Sequence, residues 1–437
     1  MPKGLRKIQI SFEADGLTRF GGLLLFHQFC KNLGLRYYLQ HQVNWPISAK
    51  KLYHPVDLFL CHLYAIVAGI GRIQNTQSLI HNGLLPPLLG LRNFPHRDTL
   101  RDFLWKFTPQ ALKSLQIAHD KIRQNLFGRL SPIYSSIIDM DTTVLTVYGH
   151  QEGSAIGYNP VHRGKKSFCP ILASEGRLGL TLNFQLRSGN VYPSTGAIIF
   201  LRQTLEKIPQ TIARTRTRVR ADVSFYSKDV IHFLDANRLG YVIIAKLTGP
   251  IKKMLSGISY HPFQKNWEAG ELYYQPHLWK KKHRFITIRS MLRETEFPIS
   301  LFTIKDFSYR VLVTNLYLRP EMVWRFYCRR ANQELLIREL KNSYALARIP
   351  ARSFLANQVY MEMVLLVYDL VMVFKHLCLP QTCQSWTIST IRRNLWQLPA
   401  EWVRPQNYNK LRLPVLFPYQ NVFRYVQRAI TEIKPLI

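Results

Sequence analysis

From Ile133 to Leu247 the chain alternates between strand-like and helix-like patterning, and this constrains the fold more than any other feature. Ile133 to Tyr148 is rich in β-branched and aromatic residues, which favours a strand. Leu178–Arg187 alternates as a second strand and ends in the turn Ser188-Gly189-Asn190. Gly196–Lys207 has helical spacing, Arg216–Asp222 reads as a short strand, Tyr226–Asn237 as a helix and Tyr241–Leu247 as an apolar strand. Strands followed by helix, strand, helix and strand predict a mixed α/β sheet flanked by helices.

The flanks have a different texture. Residues 1–130 read mostly as helices, with an apolar one over Leu58–Gly69 and an amphipathic one from Pro109 to Leu126. Between them Pro95 to Leu104 resembles a helix start, with Asp98 or Thr99 as its cap. Ile8 to Glu13 alternates like a short strand. Gly249-Pro250 opens a stretch that breaks the pattern and contains Trp267, Trp279 and the basic run Lys280 to Arg284. Arg310–Leu316 is strand-like. Pro320 then opens a long helix predicted to run unbroken to Asn342, with Glu321 favouring its N-terminal dipole. The remainder reads as helical, broken at Pro380 and ending in a basic tail.

Charge narrows the function. The 437 residues hold 59 Lys and Arg against 26 Asp and Glu, a net +33. With 47% hydrophobic residues the chain can bury sizeable cores, which excludes global disorder. A folded chain this basic implies a polyanionic partner, and nucleic acid is the commonest. The charge is spread along the sequence, unlike a histone-like tail, and no RNA-binding module is present. The apolar stretches Leu58 to Ile70 and Leu355 to Phe374 are too short or too charged to span a membrane, so they read as buried helices. No secretory signal pattern opens the chain. The six scattered cysteines argue against a zinc site or disulfide scaffold and fit a reducing cytosol.

Metal-assisted phosphoryl chemistry requires carboxylates that converge in space. Asp139 and Asp141 differ by two positions and share a strand face; a metal-binding pair and a solvated acidic edge fit that segment equally. Asp222 falls where a strand gives way to a helix, a position that suits both a site at a strand end and a plain helix cap. On the long helix, 100° per residue places Tyr327, Arg330, Glu334 and Lys341 within an arc of about 60°, with Arg338 beside them. Phe326, Leu336, Ile337 and Leu340 fall on the core side. The stripe suits either a functional face or a solvated salt-bridge ladder with Glu334 and Arg338 as an i,i+4 pair.

These residues resemble the DDE transposases of bacterial insertion sequences, in particular the hairpin-forming branch with an RNase-H-like fold and a β-rich insertion. The branch signature Tyr-x2-Arg-x3-Glu-x6-Lys is met by Tyr327, Arg330, Glu334 and Lys341. The segment Asp141-Thr142-Thr143 resembles the first aspartate motif and Arg220-Ala221-Asp222 the second. Tyr148-Gly149-His150-Gln151-Glu152-Gly153 and Gly157-Tyr158-Asn159-Pro160 resemble one subgroup of these elements. The likeness covers about residues 130–375. It departs at Val223-Ser224, where Ser-Gly is usual.

The resemblance implies a division into a helical DNA-end-binding region (1–130), a first core part (131–248), a β-rich insertion (249–308), a second core part (309–380) and a helical dimerisation region (381–437). It selects Asp141 over Asp139 and implies that Asp141, Asp222 and Glu334 hold two Mg²⁺ ions, for which Mn²⁺ substitutes. It further implies that Tyr327, Arg330, Arg338 and Lys341 contact DNA phosphates, with Lys280, Lys281, Lys282 and Arg284 either backbone contacts from the insertion or a solvated loop. Trp267 and Trp279 are open to base stacking or to core packing. The expected activity is cut-and-paste transposition. The protein cuts the terminal inverted repeats, passes through a hairpin and joins the ends to target DNA. It is expected as a homodimer on double-stranded DNA, in the bacterial cytoplasm at the nucleoid. The alternatives are a decayed copy acting as a DNA-binding repressor and a general nuclease.

Overall fold

A computed structural model describes residues 10–11, 13, 16–47, 52–80, 82–130, 135–291, 303–304 and 307–436. The strand expected over Ile8 to Glu13 lies largely outside the described residues. The chain divides into two compact units: Met1–Leu115 with Ser343–Pro350 and Val359–Ile437, and Gln116–Asn342 with Ala351–Gln358.

The second unit is built on a mixed sheet. Its strands are β1 (Ser136–Thr142), β2 (Ile171–Glu175), β3 (Thr181–Gln185), β4 (Thr217–Ala221) and β5 (Gly240–Ile244). They continue with β6 (His261–Gln264), β7 (Trp267–Tyr274), β8 (His283–Met291) and β9 (Phe307–Thr314). Their order across the sheet is β6-β7-β8-β9-β5-β4-β1-β2-β3. β1, β4 and β5 are mutually parallel, whereas β2 runs antiparallel beside β1 and β3 antiparallel beside β2. The sub-order β3-β2-β1-β4-β5, with two parallel pairs at its centre, is the RNase-H-like sheet. β5 connects to β4 through the helix α2 (Lys228–Ala236), and α1 (Ala197–Lys207) precedes β4.

The strands of the 249–308 stretch are added to that sheet and do not form a separate one. β9 pairs antiparallel with β5, and β8, β7 and β6 follow outward. Apolar side chains of this half, Ile286, Ile288, Leu312 and Val242, are buried with Val323 of a helix that follows. That helix corrects the expected single span. It breaks into α3 (Pro320–Cys328) and α4 (Ala331–Asn342), joined by a tight turn at Arg329-Arg330.

The first unit is largely helical. Its helix Pro55–Val67 is buried along its whole length, which explains the apolar run there. Asp57 pairs with Arg36, and a ring nitrogen of His62 donates to the Leu100 carbonyl at 3.0 Å. Phe26, Phe29, Phe374 and Trp396 form an aromatic core with centroids 5.3–6.0 Å apart. Arg97–Trp105 is capped by the His96 side chain, where Asp98 or Thr99 was expected. The C-terminal stretch is not wholly helical either: Ala400–Val403 is a strand paired on one side with Leu17–Thr18 and on the other with Lys410–Arg412. Among the described residues no helix is long and apolar enough to cross a membrane.

Candidate active site

The parallel register of β1 and β4 sets the site. Met140 stands opposite Ala221, so Asp141 and Asp222 each lie one residue beyond that pair, at the carboxyl ends of adjacent strands. Strand ends of this kind are where sheets of parallel strands expose functional groups. Asp222 also caps the short turn Val223–Phe225. Its Oδ1 accepts the Ser224 N–H at 3.0 Å, and its Oδ2 accepts the Ser224 hydroxyl at 3.2 Å. The side chain of Val223 points to solvent, so the bulk that replaces the usual residue is accommodated. The cap reading of Asp222 therefore holds, and the capping carboxylate stands at the strand end next to that of Asp141.

One register step back, Asp139 lies opposite Arg220. The guanidinium holds the carboxylate through two bonds of 2.6 Å, Nε to Oδ1 and Nη2 to Oδ2, and both side chains are 1% exposed. The remaining Nη1 donates to the Phe326 carbonyl at 2.7 Å, tying the strand pair to α3. Burial pushes the Asp139 carboxyl up, and Arg220 pulls against it. A bidentate pair with no spare oxygen is a structural element.

Asp141 is different. Its Oδ1 accepts the Thr142 N–H at 2.8 Å, and Oδ2 meets Arg330 at 2.8 Å. Burial pushes its pKa up to about 6, against the pull of Arg330, and the nearby charge of Asp222 pushes the same way. Glu334 contributes to that push from α4. Arg330 is buried at the turn between the helices, where its Nη2 also donates to the Met140 carbonyl at 3.2 Å. Its Nη1 is 3.4 Å from Glu334. The helix break lets this arginine point inward to β1, whereas an unbroken helix would have left it on an exposed stripe. Lys341, one end of the motif, donates from Nζ to the Val144 carbonyl at 3.0 Å and to Thr143 Oγ1 at 3.3 Å, and burial lowers its pKa.

The helix bearing Glu334 is anchored through its neighbour. Gln333 is 1% exposed and accepts the Ser174 hydroxyl of β2 at its Oε1. The Glu334 side chain is 68% exposed. Among the described residues no three Asp, Glu, His or Cys side chains are gathered closely enough to hold a metal. The donor chemistry still suits a hard divalent cation. Two carboxylates stand at adjacent strand ends, and burial together with the charge of Asp222 penalises the charge of Asp141. The Asp141–Asp222 pair fits such an ion, and Glu334 stands off it, against Arg330.

The family profile described as transposase DDE domain group 1 matches residues 1–435. The chain belongs to this family of DDE transposases. In fold it is similar to the cryo-EM structure of a piggyBac transposase synaptic complex with hairpin DNA, at 11% identity and a TM-score of 0.50. That match covers 96% of this chain and 87% of the other. A Mos1 transposase paired-end complex with left transposon end matches over 45% of this chain and 60% of its own, also at 11% identity. Its TM-score of 0.19 is too low to support an argument. No curated protein matches the sequence.

The transposase places its other expected site residues unevenly. Tyr327 is half-buried beside the carboxylates. Burial raises its hydroxyl to about 12; Arg330 opposes this, and Asp222 and Asp141 add to it. Arg338 is exposed on α4. Lys280 and Lys282 are exposed, and Lys281 pairs with Asp235 at 3.0 Å. Arg284 is engaged by the carboxylate of Glu271, with Nε to Oε2 at 2.7 Å, and by the Leu316 carbonyl at 2.7 Å. Trp279 is buried between Tyr226 and His283, which is core packing. Trp267 stacks on Trp324, which stacks on Tyr327, with Arg310 over both indoles. Sequence reasoning gave no role to Arg220, Gln333 or Ser174. The arginine had a signal: opposite charges, Asp139 and Arg220, stand two residues before Asp141 and Asp222.

Proposed function

We propose that this transposase cuts DNA at the terminal inverted repeats of its own element and joins the ends to target DNA by phosphoryl transfer, through a hairpin. The observation that carries this reading is the pairing of Asp141 and Asp222 at the ends of two parallel strands, with Glu334 on the helix anchored to the same sheet. The fold relative whose name records hairpin DNA supports the hairpin route.

Asp141 and Asp222 would hold Mg²⁺, with Glu334 as the further donor to a two-ion site and Mn²⁺ able to substitute. Bound there, the ions would supply Lewis acidity at the attacking and departing oxygens. The chain's own groups do the rest. Arg330, fixed at Asp141 and the Met140 carbonyl, presents a cation to the scissile phosphate. Lys341 holds the chain just beyond β1 in place through Thr143 and Val144. Tyr327, with its hydroxyl kept protonated, can donate to a phosphate oxygen. Arg338 and the exposed lysines Lys280 and Lys282 extend the positive surface along the DNA. The helices of the first unit would bind the ends, the 381–437 region would support a homodimer, and the nucleoid would be the site of action.

The test is direct. Purified protein with end-containing duplex and Mg²⁺ is expected to cleave, and Glu334→Gln to abolish cleavage while retaining DNA binding. Undiminished cleavage by that variant overturns the assignment.

A further inference from the structure

Between β1 and β2 the chain forms a small antiparallel sheet of its own, with Lys166–Phe168 between Leu145–Thr146 and Ala155–Ile156. It begins directly after Val144, whose carbonyl binds Lys341. This flap contains the two glycine-rich motifs that the catalytic reading leaves unused.

The motif residues divide into holders and held. Asn159 is 4% exposed; its Nδ2 donates to Thr146 Oγ1 at 3.0 Å and its Oδ1 accepts the His162 N–H at 3.0 Å. Glu152 accepts the Phe354 N–H at 2.9 Å, and its own N–H donates to the Arg352 carbonyl at 2.8 Å. A Cβ at Gly157 would lie 1.9 Å from the Gly189 carbonyl oxygen, so only glycine allows that approach. These contacts fix the flap from several sides. The side chains they fix outward are Tyr148 and Tyr158, which are 77% and 78% exposed, and residues 160–166 are exposed throughout. Arg163, Lys165 and Lys166 lie in or next to that run, and the flap's one carboxylate, Glu152, is already engaged.

A rigid scaffold that displays two tyrosines and three cations to solvent suits a polyanion with sugar faces, because phosphates take the cations and aromatic rings cover apolar surface. Its location identifies the polyanion. Tyr148 is seven residues beyond Asp141, a reach of at most about 25 Å along the chain. One turn of duplex DNA is about 34 Å.

We infer that the flap is a second DNA-backbone clamp, gripping the duplex within one turn of the bond cut at Asp141 and Asp222. Arg163, Lys165 and Lys166 take phosphates, and Tyr148 and Tyr158 pack on the adjoining sugars. This rests on the reading of the site as a DNA-cutting centre.

The test uses the full-length protein and a fluorescent duplex of about four turns (~40 base pairs) carrying the element's inverted repeat. Binding is titrated across salt for wild type, Arg163→Ala/Lys165→Ala/Lys166→Ala, Tyr148→Ala/Tyr158→Ala and Glu334→Gln, each with its melting temperature. The triple variant is expected to melt like wild type and to flatten the slope of log K against log salt by about 2–3. The tyrosine variant is expected to weaken binding with little change of slope. An unchanged slope and affinity in both flap variants overturns the clamp. So does a change confined to oligomeric mass, which would make the flap a protein interface. Glu334→Gln separates the two readings, because loss of cleavage there with unaltered flap variants leaves the catalytic site standing and removes the clamp alone.

Discussion

Asp139 and Asp141 stand two residues apart on one strand, each facing an arginine, and the two pairs differ in what they leave unused. Arg220 covers both oxygens of Asp139 and uses its last nitrogen on a backbone carbonyl. Arg330 is divided among Asp141, Glu334 and the Met140 carbonyl, and its buried Nε has no hydrogen-bond partner among the described residues. The first pair is saturated and belongs to the architecture. The second is unsaturated and holds charge that another ligand can claim. Residue type and strand position are nearly the same, so completeness of partnering is what separates a structural carboxylate from an available one.

The largest effect should come from breaking the saturated pair. Arg220→Met leaves Asp139 buried without its counter-charge and is expected to cost about 3–5 kcal/mol in urea denaturation. Adding Asp139→Leu should recover most of the loss. A single variant as stable as wild type would erase the distinction.

Asp141→Asn should act in the opposite direction. The folded pKa of about 6 lies above the ordinary 3.8, so ionising Asp141 costs stability as pH rises through that window. In chelator at pH 8 the variant is expected to be more stable by up to about 3 kcal/mol, a gain that fades as pH falls toward 4. It should not cleave DNA. A pH-independent difference would contradict this account.

Divalent cations sharpen the contrast further. Mg²⁺ or Mn²⁺ at about a hundredfold over its dissociation constant should stabilise wild type by about 2.7 kcal/mol, and Asp222→Ala should show no such gain. The smallest effect is expected at the anchor of Glu334. Ser174→Ala should cost about 1–3 kcal/mol, because it leaves Gln333 without its buried donor, and should lower the cleavage rate while DNA affinity holds.

Much of this was legible in the residues. Most of the strand and helix order from 133 to 247 reads from patterning, because those elements alternate or repeat over several residues. β2 (Ile171–Glu175) does not, because all five residues are buried and no apolar–polar alternation marks it. Asp141, Asp222 and the motif from Tyr327 to Lys341 could be named from spacing and resemblance. The break at Arg329-Arg330 could not be. No proline or glycine marks it, and the inward pull of Asp141 and the Met140 carbonyl on Arg330 is tertiary. The flap was missed for a related reason: its strands of two or three residues are too short to show a period. The joining of β6–β9 onto β5 was hidden as well, because edge pairing leaves no local mark in sequence.

That joining has a consequence for synthesis. Chains leave the ribosome in order, and domains fold as units while they do so. The strands bearing Asp141 and Asp222 are complete by residue 244, but α4 emerges only after the four strands that widen the sheet. A nascent chain therefore carries two of the three proposed catalytic carboxylates for a long interval and gains the third only when β9 has reached β5. On the proposed function, a product terminated before α4 lacks Glu334 and cannot act as the complete nuclease.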